Sequence, residues 1–223
     1  MLNDSFELLV MLKNAGFPRV LRDPLWWPRS GSYEVVVGTI LTQQTKWEKV
    51  EKSLENLKEN GVNSLEKISN LDIKILSTLI KPSGFYNTKA KYLLGISKNI
   101  IKDFGNFDDF CMLVDRDWLL AQKGIGRESA DSILCYGCLK DFFVVDNYTM
   151  RLLSAFGFSF ESYEELQEWM SDGILSNKEK IDRLYQREMS VNEIFARFHG
   201  KIVDYCKENS KGKTVFTECL WIF

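Results

Sequence analysis

Proline is scarce in this chain, with four residues, three of them before Ser30. Everything beyond is therefore nearly free of the residue that breaks helices. No apolar run approaches the ~20 residues that a bilayer span requires. The opening Met1-Leu2-Asn3-Asp4 lacks the basic and apolar stretches of a signal peptide. No membrane partner is expected, and the expected location is cytoplasmic, on the nucleoid if the source is bacterial. The five cysteines (Cys111, Cys135, Cys138, Cys206, Cys219) are an odd number, which fits a reducing compartment rather than a disulfide framework. Positive charge is not in excess either: the net charge is −2 and the pI about 5.6, so nothing global announces a nucleic-acid binder. Internal repeats and low-complexity linkers are also missing.

What is present suits an ordinary globular protein. At 223 residues, 45% hydrophobic and 27% charged, the chain is long enough for one large domain or two small lobes with real cores. Apolar residues recur at helical spacing. Residues 45–58 put Trp47, Val50, Leu54 and Leu57 on one stripe, and residues 87–104 do the same with Ala90, Leu93, Leu94, Ile96, Ile100 and Ile101. Residues 178–188 and 190–207 are further helices, with Ser190 and Glu193 placed as a capping box. Residues 142–145 are apolar and β-branched but short, and no hairpin of alternating strands stands out. The pattern predicts an all-α fold. Local charge is uneven: Lys46, Lys49, Lys81, Lys89, Lys91, Lys123 and Arg127 lie near the motifs below, while acids crowd at residues 161–165. Such lysines serve a nucleic-acid face or simply a solvated one.

The segment richest in chemistry is residues 115–150, DRDWLLAQKGIGRESADSILCYGCLKDFFVVDNYTM. A short helix ends near Gln122, Gly124-Ile125-Gly126 makes a tight turn, and a second helix starts at about Arg127, burying Ala130, Ile133 and Leu134. Two glycines allow positive φ and close approach, so that N–H groups at a helix start can point at a phosphate, while Ile125 pins the turn to the core. Asp146 follows Gly124 by 22 positions. It is placed either as a carboxylate for chemistry or as the cap of a helix beginning at Asn147, and the two roles are compatible.

The strings LLAQKGIGRESADSIL and VVDNYTMRLL resemble the hairpin and catalytic-aspartate segments of the endonuclease III superfamily of helix-hairpin-helix DNA glycosylases. Leu41-Thr42-Gln43-Gln44-Thr45 and Ser83-Gly84-Phe85-Tyr86-Asn87-Thr88-Lys89-Ala90 are similar to two further motifs of that superfamily, so the likeness spans roughly residues 32–153. It implies two helical lobes with a DNA-binding cleft between them. One would be a six-helix lobe at residues 29–141 with the hairpin at about 115–139, the other residues 1–28 plus 142–223. It implies a monomer acting on double-stranded DNA that contains a damaged base. Asp146 would be the catalytic group, stabilising the oxocarbenium-like sugar and orienting water. Lys123, Gly124, Gly126 and Arg127 would hold the DNA backbone, and Gln44, rather than Gln43, would wedge into the duplex.

Departures from the superfamily narrow the chemistry. The lysine that attacks the sugar in lyase members lies two residues after the second hairpin glycine, and here that residue is Glu128. A carboxylate forms no Schiff base, so a monofunctional enzyme without AP-lyase activity is expected. The glutamate that protonates adenine in the mismatch branch falls on Thr39. With no acid for a neutral leaving group, the expected substrate is an N-alkylated purine, cationic before cleavage. The aromatics Trp26-Trp27-Pro28 and Trp47 agree, and the chain looks like the 3-methyladenine (type III) branch, whose rings sandwich the flipped base. Adjacent residues face apart, so at most one of Trp26 and Trp27 would stack, and Trp47 belongs either to this pocket or to the core. Lys201, if it faces the pocket, should be salt-bridged or neutralised, as a carbamate for example; otherwise it is an exposed helix lysine. His199, the sole histidine, reads as a structural group. The tail holds Cys206 and Cys219 where cluster-bearing members have four cysteines, so neither an iron–sulfur cluster nor any metal is expected. Cys135 and Cys138 read as packing. A glycosylase for another damaged or mismatched base, or a non-catalytic helix-hairpin-helix DNA-binding module, is the alternative.

Overall fold

The computed structural model describes residues 2–19 and 24–221. The chain divides into two compact units, Met1–Pro28 with Lys140–Phe223, and Arg29–Leu139. Both are helical, in agreement with the all-α pattern of the sequence.

Helix α1 (Ser5–Asn14) opens the first unit. Asp4 caps it by accepting the Glu7 N–H, and Leu8, Leu9 and Leu12 form its buried stripe. The second unit is built on α2 (Tyr33–Thr42), in which every residue from Val35 to Leu41 is buried. A helix so apolar all round must be covered on all sides. Packed on it are α3 (Trp47–Glu59), α6 (Tyr86–Phe104) and α9 (Arg127–Ser132); α4 (Leu65–Ser69), α5 (Ile73–Leu79) and α7 (Phe107–Leu113) pack on α6, and α8 (Arg116–Leu120) on α9. The six helices expected of this lobe are thus realised as eight segments, two of them only five residues long. Side-chain caps by Ser64, Asp72, Asn106 and Asp115 start α4, α5, α7 and α8; each such cap is worth ~1 kcal/mol. Of the expected stripes, Val50, Leu54 and Leu57 of α3 are buried, as are Ala90, Leu93, Ile96 and Ile100 of α6; Trp47, Leu94 and Ile101 lie half-buried at the edges.

After α9 the backbone widens into a π-helical turn, Ile133–Gly137, which packs on α2. Gly137 lies against Val35, and the Tyr136 carbonyl accepts the Gly31 N–H at 2.7 Å. Cys135 is fully buried in this turn and Cys138 half-buried just after it.

The chain re-enters the first unit through an extended stretch in which Phe143, Val144 and Val145 are buried. There follow α10 (Asn147–Ala155), α11 (Tyr163–Leu175), α12 (Lys178–Tyr185) and α13 (Val191–Glu208). Helix α13 runs through the middle of this unit, against α1, α10 and α11. Helix α12 stops earlier than the sequence suggests, because Gln186 takes a left-handed conformation, φ +55°. The capping box at the start of α13 is half formed. Ser190 accepts the Glu193 N–H, whereas the Glu193 carboxylate pairs with Arg187 and Arg197. One hairpin escaped the sequence reading: Ser210–Lys211 pairs antiparallel with Thr214–Val215. Strands of two residues are too short for alternation to reveal them.

Candidate active site and nucleic-acid interface

Asp146 caps α10. Its Oδ1 accepts both the N–H of Thr149, at 2.8 Å, and the Thr149 hydroxyl, at 3.0 Å. Its Oδ2 faces Nε2 of His199 at 3.5 Å, and only 12% of the side chain is exposed. Burial by itself would raise this carboxyl. The hydrogen bonding and charge of His199, with the two Thr149 donors, outweigh it and hold the group below the usual carboxylate range. Asp146 therefore stays ionised at neutral pH and is protonated only below the range of an ordinary aspartate. A helix cap and a charged, nearly dry carboxylate coexist in one side chain.

His199 is buried on α13, and its ring meets Trp26 edge to face, centroids 5.4 Å apart at 88°. Trp26 is held from several sides. Its Nε1 donates to Asp204 at 3.2 Å. Its ring rests on Gly200, where a Cβ would come within 2.3 Å of it. Its backbone is left-handed, φ +77°, a conformation costing an L-residue ~1–2 kcal/mol. Trp27 stands nearly perpendicular to it at 6.5 Å, and Pro28 follows, half-buried. The unit thus brings Trp26, His199 and Asp146 into one group.

Lys201 is not in that group. Two residues along α13 turn it about 200° away from His199. Its ammonium donates to the Phe17 carbonyl and sits 5.9 Å from the centre of the Tyr185 ring. The exposed alternative is corrected: Lys201 is 3% exposed, because this face of α13 is covered by the chain around Phe17 and by α12. Burial, together with Arg197 and Lys13, pushes it down to about 8.

In the unit Arg29–Leu139, the hairpin joins α8 to α9. Gly124 has φ +87°, and a Cβ there would lie 2.2 Å from the Tyr92 ring. Gly126 is the N-cap of α9 with φ −100° and open space where a Cβ would stand. Ile125 is buried between them. Arg116 grips Asp131 with two hydrogen bonds, 2.7 and 3.1 Å, and ties α8 to α9. Lys123, Arg127 and Glu128 are exposed at the turn.

Gln44 is exposed and left-handed, φ +53°. Gln43 has a structural part that its sequence context did not signal: its Nε2 donates to the Gly124 carbonyl at 2.9 Å and approaches the Ser129 hydroxyl at 3.4 Å, fastening the loop to the hairpin. Lys89 also departs from expectation. It is no surface cation: it is buried, donating to the carbonyls of Leu41 and Ser83 and to the Thr45 hydroxyl at 2.7–2.8 Å. Desolvation lowers it to about 8. Lys46, Lys49, Lys81 and Lys91 are exposed, and Trp47 is half-buried in the first turn of α3. Among the described residues no three His, Cys, Asp or Glu side chains converge as a metal site, and no helix is long and apolar enough to cross a membrane.

A glycine hairpin followed by a half-buried, ionised aspartate at a helix start marks a helix-hairpin-helix base-excision protein, and the chain belongs to that class: the HhH-GPD superfamily of base excision DNA repair proteins matches residues 37–174. A Methanocaldococcus jannaschii protein named as a candidate DNA repair glycosylase is 37% identical over 202 residues, covering 87% of this chain and 85% of that one. Endonuclease III of Sulfolobus acidocaldarius is 29% identical over 143 residues, 61% of this chain and 62% of its own. Among solved structures, H. pylori 3-methyladenine DNA glycosylase bound to 1,N6-ethenoadenine superposes with a TM-score of 0.89 at 44% identity, covering 94% of this chain and all of that one. A non-covalent endonuclease III–DNA complex gives a TM-score of 0.71 at 18% identity over 96% of this chain and 91% of that one, a likeness of fold. The chain is a DNA glycosylase of this family.

Proposed function

We propose that this enzyme excises N-alkylated purines, 3-methyladenine foremost, from double-stranded DNA, and leaves the abasic site uncut. The observation that carries the reading is Asp146, ionised, nearly dry and grouped with Trp26 through His199. As the base departs, the sugar gains positive charge, and a fixed carboxylate in a partly desolvated site stabilises that charge and orients water. An N-alkylated purine is already cationic, so it leaves without a protein acid, and Thr39 at 6% exposure supplies none. Trp26, Trp27, Pro28 and Trp47 form the base-recognising set in this reading, electron-rich rings attracting a cationic purine by ~2 kcal/mol when desolvated. The backbone N–H groups at Gly124 and Gly126, with Lys123 and Arg127, hold phosphate, and Gln44 enters the duplex. The high likeness to a 3-methyladenine glycosylase supports the substrate class.

Incubation with methylated duplex DNA tests this. Chromatography should recover 3-methyladenine as free base; release confined to other lesions would overturn the substrate assignment. Glu128 in the lyase lysine's place leads to the second expectation. Borohydride added during turnover should trap no covalent protein–DNA adduct, and an adduct in good yield would show lyase chemistry. A cofactor-free enzyme is also proposed. The tail offers only Cys206, which is buried, and Cys219, 3.0 Å from the Tyr205 hydroxyl, two thiols where a cluster takes four. Anaerobically purified protein should be colourless, and stoichiometric iron with visible absorbance would contradict it.

A further inference from the structure

The Asp146 carboxylate is gripped from two sides by different means. Thr149, from its own helix, supplies two donors to Oδ1, a local contact that any capping aspartate makes. His199, from the middle of α13 and 53 residues away in sequence, approaches Oδ2 at 3.5 Å. The imidazole is itself fixed: it is buried, Trp26 meets it edge to face, and Gly200 next to it carries the Trp26 ring on its bare backbone. A cap needs only Oδ1. The contact at Oδ2 adds nothing to helix initiation, and it meets the carboxylate on the oxygen that the cap leaves free.

We propose that His199 is the positioning residue of Asp146, orienting Oδ2 while its ring couples the carboxylate to Trp26. This rests on the reading of Asp146 as the catalytic carboxylate. His199 is not itself a catalytic residue. Its Nε2 stands 3.5 Å from Oδ2, it forms no bond to substrate, and it acts only through the carboxylate. Among the described residues, Tyr148 on α10 and Cys206 on α13 are the further titratable groups that feel the Asp146 charge, and Arg151 of α10 lies near both. Tyr148 is raised by burial and by Asp146 itself, and Cys206 is pushed up to about 12, so both stay neutral across the acid and neutral range. Without His199, the desolvation of Asp146 is opposed by Thr149 alone and its pKa rises.

The test compares His199→Leu, His199→Gln and Asp146→Asn in single-turnover release of 3-methyladenine from methylated duplex DNA, with DNA affinity measured at the same salt. His199→Leu should slow release by a factor on the order of 10–10² with affinity unchanged. The acid limb of its pH–rate profile should move to higher pH. His199→Gln, whose amide N–H reaches the position of Nε2, should recover most of the rate, and His199→Leu added to Asp146→Asn should cost nothing further. If Asp146→Asn is impaired while both His199 variants match the wild type in rate and profile, the positioning role is overturned and Asp146 stands. If Asp146→Asn is fully active, the reading beneath it fails instead. Should His199→Leu not fold, His199→Gln decides alone: a large rate loss in a folded Gln variant with an unmoved acid limb overturns the proposal.

Discussion

Gly124→Ala should lower the melting temperature by on the order of 10 °C and weaken duplex DNA binding by about tenfold or more, whereas Gly126→Ala should leave stability nearly unchanged. An L-residue at φ +87° costs ~1–2 kcal/mol. The new methyl would also stand 2.2 Å from the Tyr92 ring, and overpacking of that kind costs a further ~1–3 kcal/mol. Each kcal/mol moves the midpoint of a chain of this size by roughly 2–4 °C. The damage propagates, because the Gly124 carbonyl is the acceptor that anchors Gln43 and with it the Gln44 loop. At Gly126 neither φ nor space forbids a methyl. Any loss of DNA affinity there, in a stable protein, measures how closely phosphate approaches the backbone. Thermal melts and binding titrations at one salt concentration separate the two glycines. Equal sensitivity at both would contradict this account of the hairpin.

The parts legible in the sequence are those whose physics is local. Helices α3 and α6 declared themselves through apolar spacing, the hairpin through two glycines around Ile125, and the start of α10 through Asp146 as a cap. What escaped depends on partners far apart in the chain. Lys89 looked like one surface cation among several, but its three acceptors come from Leu41, Thr45 and Ser83, on separate segments that the fold folds over it. His199 looked structural because its partner, Asp146, lies in another helix. Lys201 is buried by the chain near Phe17 and by Tyr185, both remote in sequence. One signal for His199 was nonetheless available: it falls on the same face of α13 as Phe195, Phe198 and Ile202, all buried. A histidine on a buried stripe needs a polar partner.

The largest expected effect on chemistry is at Asp146. Asp146→Asn keeps the cap, since an asparagine oxygen accepts the Thr149 N–H as well as a carboxylate does, so the fold should persist. The charge is lost. Removing a group that stabilises a transition-state cation and activates water costs on the order of 10²–10⁴ in rate, and a cationic leaving group, needing less help, places the loss toward the lower end. DNA binding should survive or tighten, because a negative charge facing phosphate has been removed.

Single-turnover release of 3-methyladenine from methylated duplex DNA by Asp146→Asn, beside a binding titration of the same preparation, tests the central claim most directly. The expected result is a folded protein that binds DNA at least as well as wild type and releases the base at least a hundredfold more slowly. Wild-type release by that folded, DNA-binding variant would leave Asp146 a helix cap and contradict its role in catalysis.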